Sequence, residues 1–165
     1  MKTRETEMLT TIEDRKAVRI ISLNHKIENR YSGPFLEELH VALDDAEMSD
    51  RVRAIVITGG QEKFFSNGLD LEWAAKAPMD QIPRFLELWT GFLGRLCVFP
   101  KPFVAAINGH AIAGGLFTAL CADWRVMRED KGWLCIPEID LGLDLPPGNI
   151  AIVAHVVGDR HCERL

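Results

Sequence analysis

The period of hydrophobic and polar residues changes several times along the first third of the chain, and each change predicts a new element. Two β-rich runs, residues 9–13 and 17–23, flank a short polar turn and predict an N-terminal hairpin. From Pro34 to residue 46 the apolar residues recur at helical spacing, with Ser32 as the predicted N-cap. The nearly all-apolar residues 53–58 then predict a buried parallel strand.

The rest of the chain continues the alternation of helices and strands. Residues 81–99 place apolar side chains, Leu86 among them, on one helical face and are followed by prolines, which predicts a long helix. A buried strand is predicted at residues 103–107 and is followed by a helix of small residues that extends to residue 122, and two further strands are predicted at residues 124–127 and 133–136. This order predicts an α/β fold with crossover connections between parallel strands.

Length and composition are those of an ordinary globular protein. The chain has 165 residues, of which 47% are hydrophobic and 26% are charged, so we expect one domain covering residues 1–165. A net charge of -5 leaves no general basic surface, and nucleic acid is not a predicted partner. The sequence has no apolar signal region and no apolar run near the ~20 residues of a membrane span. We therefore expect an intracellular protein without a membrane span.

The cysteines and histidines show neither a disulfide pattern nor a metal-ligand pattern. There is no C-x-x-C pair among the four cysteines and no H-E-x-x-H spacing among the five histidines. We therefore expect buried, reduced thiols and no metal site. The cysteines are Cys97, Cys121, Cys135 and Cys162.

Two junctions between a strand and a helix carry glycines where backbone amides can face a ligand. The first is residues 64–71, and the second is residues 109–115, which precede the helix of small residues. The first amides of a helix have no partner within it, so they can bind an anionic oxygen. Taken singly, such glycines most often relieve steric crowding at a turn.

One acidic residue, Glu138, lies inside the apolar stretch 135–142. A carboxylate in such surroundings is partly desolvated, which raises its pKa and makes it a better proton carrier near neutral pH. The alternative is an ordinary surface or salt-bridging glutamate. Asp140 and Asp144 flank Glu138 and are alternative acid–base groups.

Other candidates have a structural interpretation. Asp70 is predicted to cap the turn that follows it, and Asp123 is predicted to be structural. Three aromatic residues either line an acyl pocket or belong to the core, as aromatic residues at helical spacing usually do. They are Trp73, Trp89 and Phe92.

Taken together, these segments resemble the motifs of the enoyl-CoA hydratase/isomerase (crotonase) superfamily. The matching stretches, in the order and spacing of that family, are Phe65-Ser66-Asn67-Gly68-Leu69-Asp70, residues 102–115, Asp123 and Pro137-Glu138. The resemblance covers residues 9–158 and implies a crotonase-type spiral of ββα units. Residues 65–74 resemble plant-type Δ3,Δ2-enoyl-CoA isomerases.

The resemblance also implies the roles of individual residues. The substrate would be an acyl-CoA whose thioester oxygen is held by the backbone N–H groups of Asn67 and Gly114. Related hydratases use two glutamates, but this chain has Phe117 at the first position and a glutamate only at Glu138. One base suffices to move a double bond from position 3 to position 2, so the resemblance implies a Δ3,Δ2-enoyl-CoA isomerase of β-oxidation with Glu138 as its base. Coenzyme A would be part of the substrate and no other cofactor would be needed.

Further residues are expected to contact coenzyme A or substrate by the same resemblance. They are Ile27, Glu28, Asn29, Ser66, Gly68, Leu69, Asp70, Leu71 and Phe117.

Several alternatives are open at this point. In two of them the chain catalyses another reaction of the family, either hydration or thioester hydrolysis. In a third, the chain binds acyl-CoA or protein without turnover. An unrelated α/β binding domain is a fourth. Family members extend further and use C-terminal helices to build a homotrimer, so we expect that region to be largely missing here. Peroxisome and cytoplasm are both expected compartments.

Overall fold

The computed structural model describes residues 8–26, 28–138 and 140–163. Strands and helices alternate through this part of the chain, as the sequence predicts. In chain order the elements are β1 (Thr10–Arg15), β2 (Val18–Leu23), α1 (Gly33–Met48), β3 (Ala54–Gly59), β4 (Phe64–Ser66), α2 (Leu71–Lys76), α3 (Ile82–Cys97), β5 (Phe103–Ile107), β6 (His110–Ile112), α4 (Gly114–Leu120), β7 (Trp124–Met127), β8 (Leu134–Cys135), α5 (Pro147–Val157) and α6 (Asp159–Cys162).

The larger sheet has five strands in the order β1-β2-β3-β5-β7. The hairpin pair β1 and β2 is antiparallel, whereas β2, β3, β5 and β7 run parallel to one another. Alternate residues of β2, β3 and β5 are buried, because successive side chains of a strand point to opposite faces. The predicted hairpin and parallel strands are confirmed.

The smaller sheet has three short parallel strands in the order β4-β6-β8. Each of them follows a strand of the larger sheet along the chain, and a helix comes after it. This repeat of long strand, short strand and helix is the predicted ββα spiral. It brings the ends of β4, β6 and β8, and the loops that follow them, to one side of the molecule.

The core lies between the larger sheet and the two long helices. Helix α1 buries Phe35, Leu39 and Leu43, and helix α3 buries Phe85 and Phe92. Each side chain of this kind contributes about 1.5–3 kcal/mol when it is removed from water. The apolar residues whose spacing predicts α1 and α3 therefore include those that the two helices bury in the core.

Some details differ from the sequence predictions. Arg15 pairs with Val18, so the hairpin turn is tighter than the predicted polar turn. On α3 the predicted apolar face includes Leu86, which is 47% exposed, whereas Leu88 is buried. Among the described residues, no helix is both long enough and apolar enough to cross a bilayer.

Candidate active site

A cavity of about 570 Å³ lies where the loops after β4, β6 and β8 meet helices α3, α4 and α5. Most of its wall is apolar, which suits a hydrophobic acyl group. The lining residues are Arg30, Asn67, Leu69, Leu71, Glu72, Leu86, Trp89, Thr90, Ile112, Ala113, Gly114, Phe117, Pro137, Glu138, Leu141, Leu143, Asp144, Leu145, Pro146 and Asn149.

The two glycine junctions of the sequence meet at the wall of this cavity. Gly68 has a φ of 79°, a left-handed conformation that favours glycine. A β-carbon on Gly68 would lie 2.9 Å from the backbone nitrogen of Gly114, and one on Gly114 would lie 2.9 Å from the Trp89 ring. Both positions therefore need glycine, because neighbouring atoms occupy the space of a side chain.

Ala113 turns the chain from β6 into α4. Its φ of 49° is unusual for a residue with a side chain and costs on the order of 1–3 kcal/mol. The bend is held on both sides: the Ala113 N–H donates to the Cys135 carbonyl at 2.9 Å, and its own carbonyl accepts from the Leu116 and Phe117 N–H groups. Gly114 follows this bend as the first residue of α4.

Two backbone N–H groups beside the glycine contact have no acceptor in the part of the chain that the structure describes. Within the described residues, neither the Leu69 N–H nor the Gly114 N–H donates a hydrogen bond, and both residues line the cavity. Asn67 is different, because its N–H donates to the Glu28 carbonyl at 3.0 Å. The prediction of Asn67 as an oxyanion donor is therefore wrong, and Leu69 is the residue of this loop with a free amide.

Glu138 lies in the loop after β8 and is partly buried in the cavity wall. Burial raises the pKa of its carboxyl above the ordinary value of 4.5. Its Oε2 atom is buried and has no hydrogen-bond partner among the described residues. The loop is fixed by its backbone, since the Glu138 carbonyl accepts from Leu141 and Leu143 at 3.1 and 2.8 Å. The carboxyl is thus available to a ligand in the cavity.

A buried turn supports the loop that carries Leu69. Asn29 has a φ of 52°, and its side-chain amide donates to the carbonyls of Phe64 and Phe65 at 3.2 and 3.0 Å. The Ser66 hydroxyl donates to the Asn29 carbonyl at 2.7 Å and accepts from the Gly68 N–H at 3.2 Å. Asn29 and Ser66 are both buried. They position the loop and do not line the cavity.

Glu28 joins the same turn to the charged rim of the cavity. Its carboxylate accepts from the Asn67 side-chain amide at 2.7 Å and from the Arg30 guanidinium at 2.6 Å. The hydrogen bond from Arg30 lowers the pKa of Glu28. Arg30 itself lines the cavity, where its other partner is Glu72 at 3.5 Å.

The predicted ligand contacts divide into two groups. Leu69, Leu71 and Phe117 line the cavity together with Gly114 and Glu138. The others do not line it, because their side chains or close backbone contacts hold the surrounding loops. These are Glu28, Asn29, Ser66, Gly68 and Asp70, while Ile27 lies outside the described residues.

The structure also shows where the two candidate aspartates and the three candidate aromatic residues lie. Asp70 caps α2 by accepting from the Trp73 N–H at 2.9 Å, and Asp123 accepts from the Phe103 N–H at 2.8 Å, as their structural interpretation predicts. Of the aromatic residues Trp89 lines the cavity, whereas Trp73 and Phe92 do not.

Sequence reasoning missed several polar residues of the wall, because nothing in their spacing distinguishes them from other surface residues. They are Arg30, Glu72, Thr90 and Asn149. Of the two acidic residues beside Glu138, Asp144 lines the cavity and Asp140 does not.

The five-stranded and three-stranded sheets, with a cavity where the loops after the short strands meet the helices, define a crotonase-type α/β protein. Residues 13–165 match the sequence profile of the enoyl-CoA hydratase/isomerase family, and the chain belongs to that family. The crystal structure of an enoyl-CoA hydratase from Bacillus anthracis superposes with a TM-score of 0.86 at 27% identity, covering 96% of this chain and 62% of that one. The predicted fold is confirmed.

Related sequences include two isomerases from Arabidopsis thaliana. Enoyl-CoA delta isomerase 3 is 36% identical over 153 residues, which are 91% of this chain and 64% of that protein. Enoyl-CoA delta isomerase 2, peroxisomal, is 32% identical over 161 residues, which are 94% of this chain and 67% of that protein. The chain thus spans about two thirds of the length of these relatives.

Proposed function

We propose that this chain contains the catalytic core of a Δ3,Δ2-enoyl-CoA isomerase, which moves the double bond of a 3-enoyl-CoA to the 2-trans position. One observation carries the proposal: a partly desolvated carboxyl, Glu138, lines the same apolar cavity as the backbone N–H groups of Leu69 and Gly114, which have no acceptor among the described residues. An acyl thioester fits this set, because it offers an apolar chain, an oxygen acceptor and an acidic carbon.

The two amides would bind the thioester oxygen. When a proton leaves C2, negative charge moves onto that oxygen and an enolate forms. Amides that are already oriented stabilise such a charge by several kcal/mol in a site that excludes water. The contact between Gly68 and Gly114 fixes the two amides relative to each other, so no reorganisation is needed during the reaction.

Glu138 would move the proton. Its carboxylate takes a proton from C2, the electron pair shifts through the enolate, and the same carboxyl returns the proton to C4. The raised pKa suits both halves of this step, since the group must accept a proton and release it again. No further cofactor is proposed, because the thioester itself acidifies the C2 proton.

Phe117 favours isomerisation over hydration. It is fully buried on α4 and lines the cavity at the position where the resemblance places the first of the two glutamates of hydratases. A phenyl ring neither activates water nor protonates carbon. We therefore propose that water is not added and that no 3-hydroxyacyl-CoA forms.

The proposal is tested by incubating the purified chain with 3-hexenoyl-CoA and following the absorbance of the conjugated 2-enoyl thioester. We expect Glu138→Gln to lower turnover on the order of 10²–10⁴-fold. Asp140→Asn is the matched control, because this neighbouring carboxylate lies outside the cavity wall and its loss should leave turnover unchanged.

Other outcomes would redirect the assignment. Full turnover in Glu138→Gln with loss in Asp144→Asn would make Asp144 the base, since it also lines the cavity. Formation of 3-hydroxyhexanoyl-CoA would indicate a hydratase. Saturable acyl-CoA binding without product would contradict catalysis by this chain and indicate a binding protein.

We further propose that the chain self-associates, as the resemblance to trimeric family members implies. Strand β7 is a free edge of the larger sheet within the described residues, and its Trp124 and Val126 are 72% and 63% exposed. Trp133 nearby in sequence is 73% exposed. Apolar residues on a sheet edge favour association. Sedimentation velocity of the chain and of Trp124→Lys tests this, and a monomer at all concentrations would contradict it.

Peroxisomes are the compartment that we propose. One of the two Arabidopsis relatives, enoyl-CoA delta isomerase 2, carries the word peroxisomal in its name. Imaging of the tagged chain beside a peroxisomal marker tests the proposal, and an even cytoplasmic signal would argue against it.

A further inference from the structure

Two cysteines meet where helices α3 and α4 end. Cys97 is the last residue of α3, Cys121 directly follows α4, and their Sγ atoms lie 3.4 Å apart. Both are free thiols. A disulfide needs an S–S distance of about 2.05 Å, so the two sulfur atoms must approach by roughly 1.4 Å. Rotation of the exposed Cys97 side chain can provide much of that movement.

The two thiols differ in their surroundings. Cys97 is exposed, and the other three cysteines are only partly buried, so the prediction of buried thiols is wrong for Cys97 and holds only in part for the others. Cys121 is partly buried, and burial raises its pKa, while the charge of Arg125 acts in the opposite direction. A dissolved oxidant therefore reaches Cys97 first and Cys121 second.

We propose that Cys97 and Cys121 are an oxidation site that forms a reversible intramolecular disulfide, with a hydroperoxide as the oxidant. The Cys97 thiolate attacks one oxygen of hydrogen peroxide, the O–O bond breaks, and the departing hydroxide takes up a proton to become water. The Cys121 sulfur then attacks the resulting sulfenic acid, and the S–O bond breaks. The second water leaves with the proton of Cys121. Two thiols and one peroxide thus give one disulfide and two waters.

The disulfide would join two helices of the cavity wall. Helix α3 contributes Leu86 and Trp89, and helix α4 contributes Gly114 and Phe117. The Trp89 ring already contacts Gly114, so the crosslink would lie at one end of an existing helix contact. Linking residues 24 positions apart also restricts the unfolded chain. Oxidation should therefore stabilise the folded state, whether or not the chain turns over acyl-CoA.

The experiment treats the purified chain with hydrogen peroxide and then counts free thiols, measures the intact mass and maps the linked peptides. Of the four cysteines we expect two to remain free, with the Cys97 and Cys121 peptides joined. The melting temperature should rise, and dithiothreitol should reverse both changes. Cys97→Ser should abolish the crosslink without affecting the fold, since its site is exposed.

Cys162→Ser is the matched control and should keep both the crosslink and the rise in melting temperature. Cys162 lies in α6 and is not part of the Cys97–Cys121 pair. Cys121→Ser gives an independent check, with circular dichroism to confirm its fold. The proposal is overturned if wild type keeps four free thiols, if Cys97 is oxidised to sulfinic acid while Cys121 stays free, or if the crosslink joins two chains through Cys97.

Discussion

Gly68 and Gly114 touch backbone to backbone, so closely that a β-carbon on Gly68 would lie 2.9 Å from the Gly114 nitrogen. The contact joins one strand-to-helix junction to the other. The N–H groups of Leu69 and Gly114, which have no acceptor among the described residues, lie at this contact. Gly114 is one of the two contacting glycines, and Leu69 directly follows the other. Anything that separates the two glycines also separates the two donors.

Replacing Gly68 by alanine should therefore disable the site. The new β-carbon meets both Gly114 and the Ala113 side chain at 2.9 Å, and the φ of 79° is unfavourable for alanine by about 1–2 kcal/mol. Displacing one oxyanion donor costs on the order of 10²–10³-fold in kcat. Steady-state turnover of 3-hexenoyl-CoA measures the loss, with circular dichroism to show that the variant folds.

Gly94→Ala is the control for this substitution. Gly94 lies in α3, and among the described residues no atom outside its own stretch of helix lies within 4 Å of the position of its added β-carbon. Alanine favours a helix over glycine by up to about 1 kcal/mol, so this variant should keep its activity and gain stability. An equal loss of turnover in both variants would mean that the effect at Gly68 is not local.

Removing the Asn29 side chain should destabilise the loop that carries Leu69. Asn29→Ala leaves the carbonyls of Phe64 and Phe65 without this donor and places alanine at a φ of 52°. Buried groups that lose their partner cost about 1–3 kcal/mol each. Urea denaturation should show a lower free energy of unfolding, and turnover should fall with it.

Asn24→Ala provides the comparison. The Asn24 amide donates to the Thr11 hydroxyl at 3.2 Å in an exposed position, so its removal should change the free energy of unfolding by less than about 0.5 kcal/mol. If Asn29→Ala lowered the free energy of unfolding as little as Asn24→Ala does, the buried turn would not hold the loop.

The pH dependence of stability gives a separate test of Glu138. Its pKa in the folded state lies above the ordinary 4.5, so its contribution to stability is present below that value and is lost as the pH rises through the folded pKa. Glutamine imitates the protonated form. Glu138→Gln should therefore melt at a higher temperature than wild type at about pH 8 and at the same temperature at about pH 4.

The carboxyl of Asp130 should contribute to stability with the opposite dependence on pH. A hydrogen bond from Arg128 lowers its pKa, so its contribution to stability is present above its ordinary pKa and is lost as the pH falls through the folded pKa. Asp130→Asn should lower the melting temperature at about pH 8 and have no effect in strong acid. If Glu138→Gln behaved like Asp130→Asn, desolvation would not dominate at Glu138.

The long elements could be predicted from the sequence because each repeats its period several times. Helix α1 and strand β3 have enough residues for the hydrophobic pattern to identify both their type and their buried face. Strands β4 and β6 have three residues each, which is too few for a period to distinguish a strand from a loop, and of the three short strands the sequence predicts only β8. The smaller sheet that frames the cavity was therefore not predicted as a sheet.

The site shows the same limit. The apolar stretch around Glu138 predicts a carboxyl with a raised pKa, and burial does raise it. The glycines of the first junction predict an exposed amide but do not say which one. Asn67 does not offer its N–H to the cavity, because this group donates to the carbonyl of Glu28, 39 residues earlier in the sequence. Such a long-range partner leaves no signal in local spacing.

Tyr31 allows a test of the core directly behind the glycine contact. It is fully buried, and its hydroxyl lies 3.0 Å from the Thr118 hydroxyl, which donates to the Gly114 carbonyl at 3.0 Å. Burial raises the pKa of Tyr31 to about 12. Because the chain has one tyrosine, the absorbance of tyrosinate reports this residue alone.

A spectrophotometric titration should show tyrosinate only near pH 12 in the folded chain and near pH ~10 in urea. The contribution of Tyr31 to stability is present below the unfolded pKa and is lost as the pH rises through the folded one, since the buried phenolate has little solvation. Wild type should therefore lose stability between those two pH values, and Tyr31→Phe should lose less. Tyrosinate appearing near pH ~10 while circular dichroism still shows a folded chain would mean that water reaches Tyr31, and the support behind Gly114 would then be looser than its buried hydrogen bonds require.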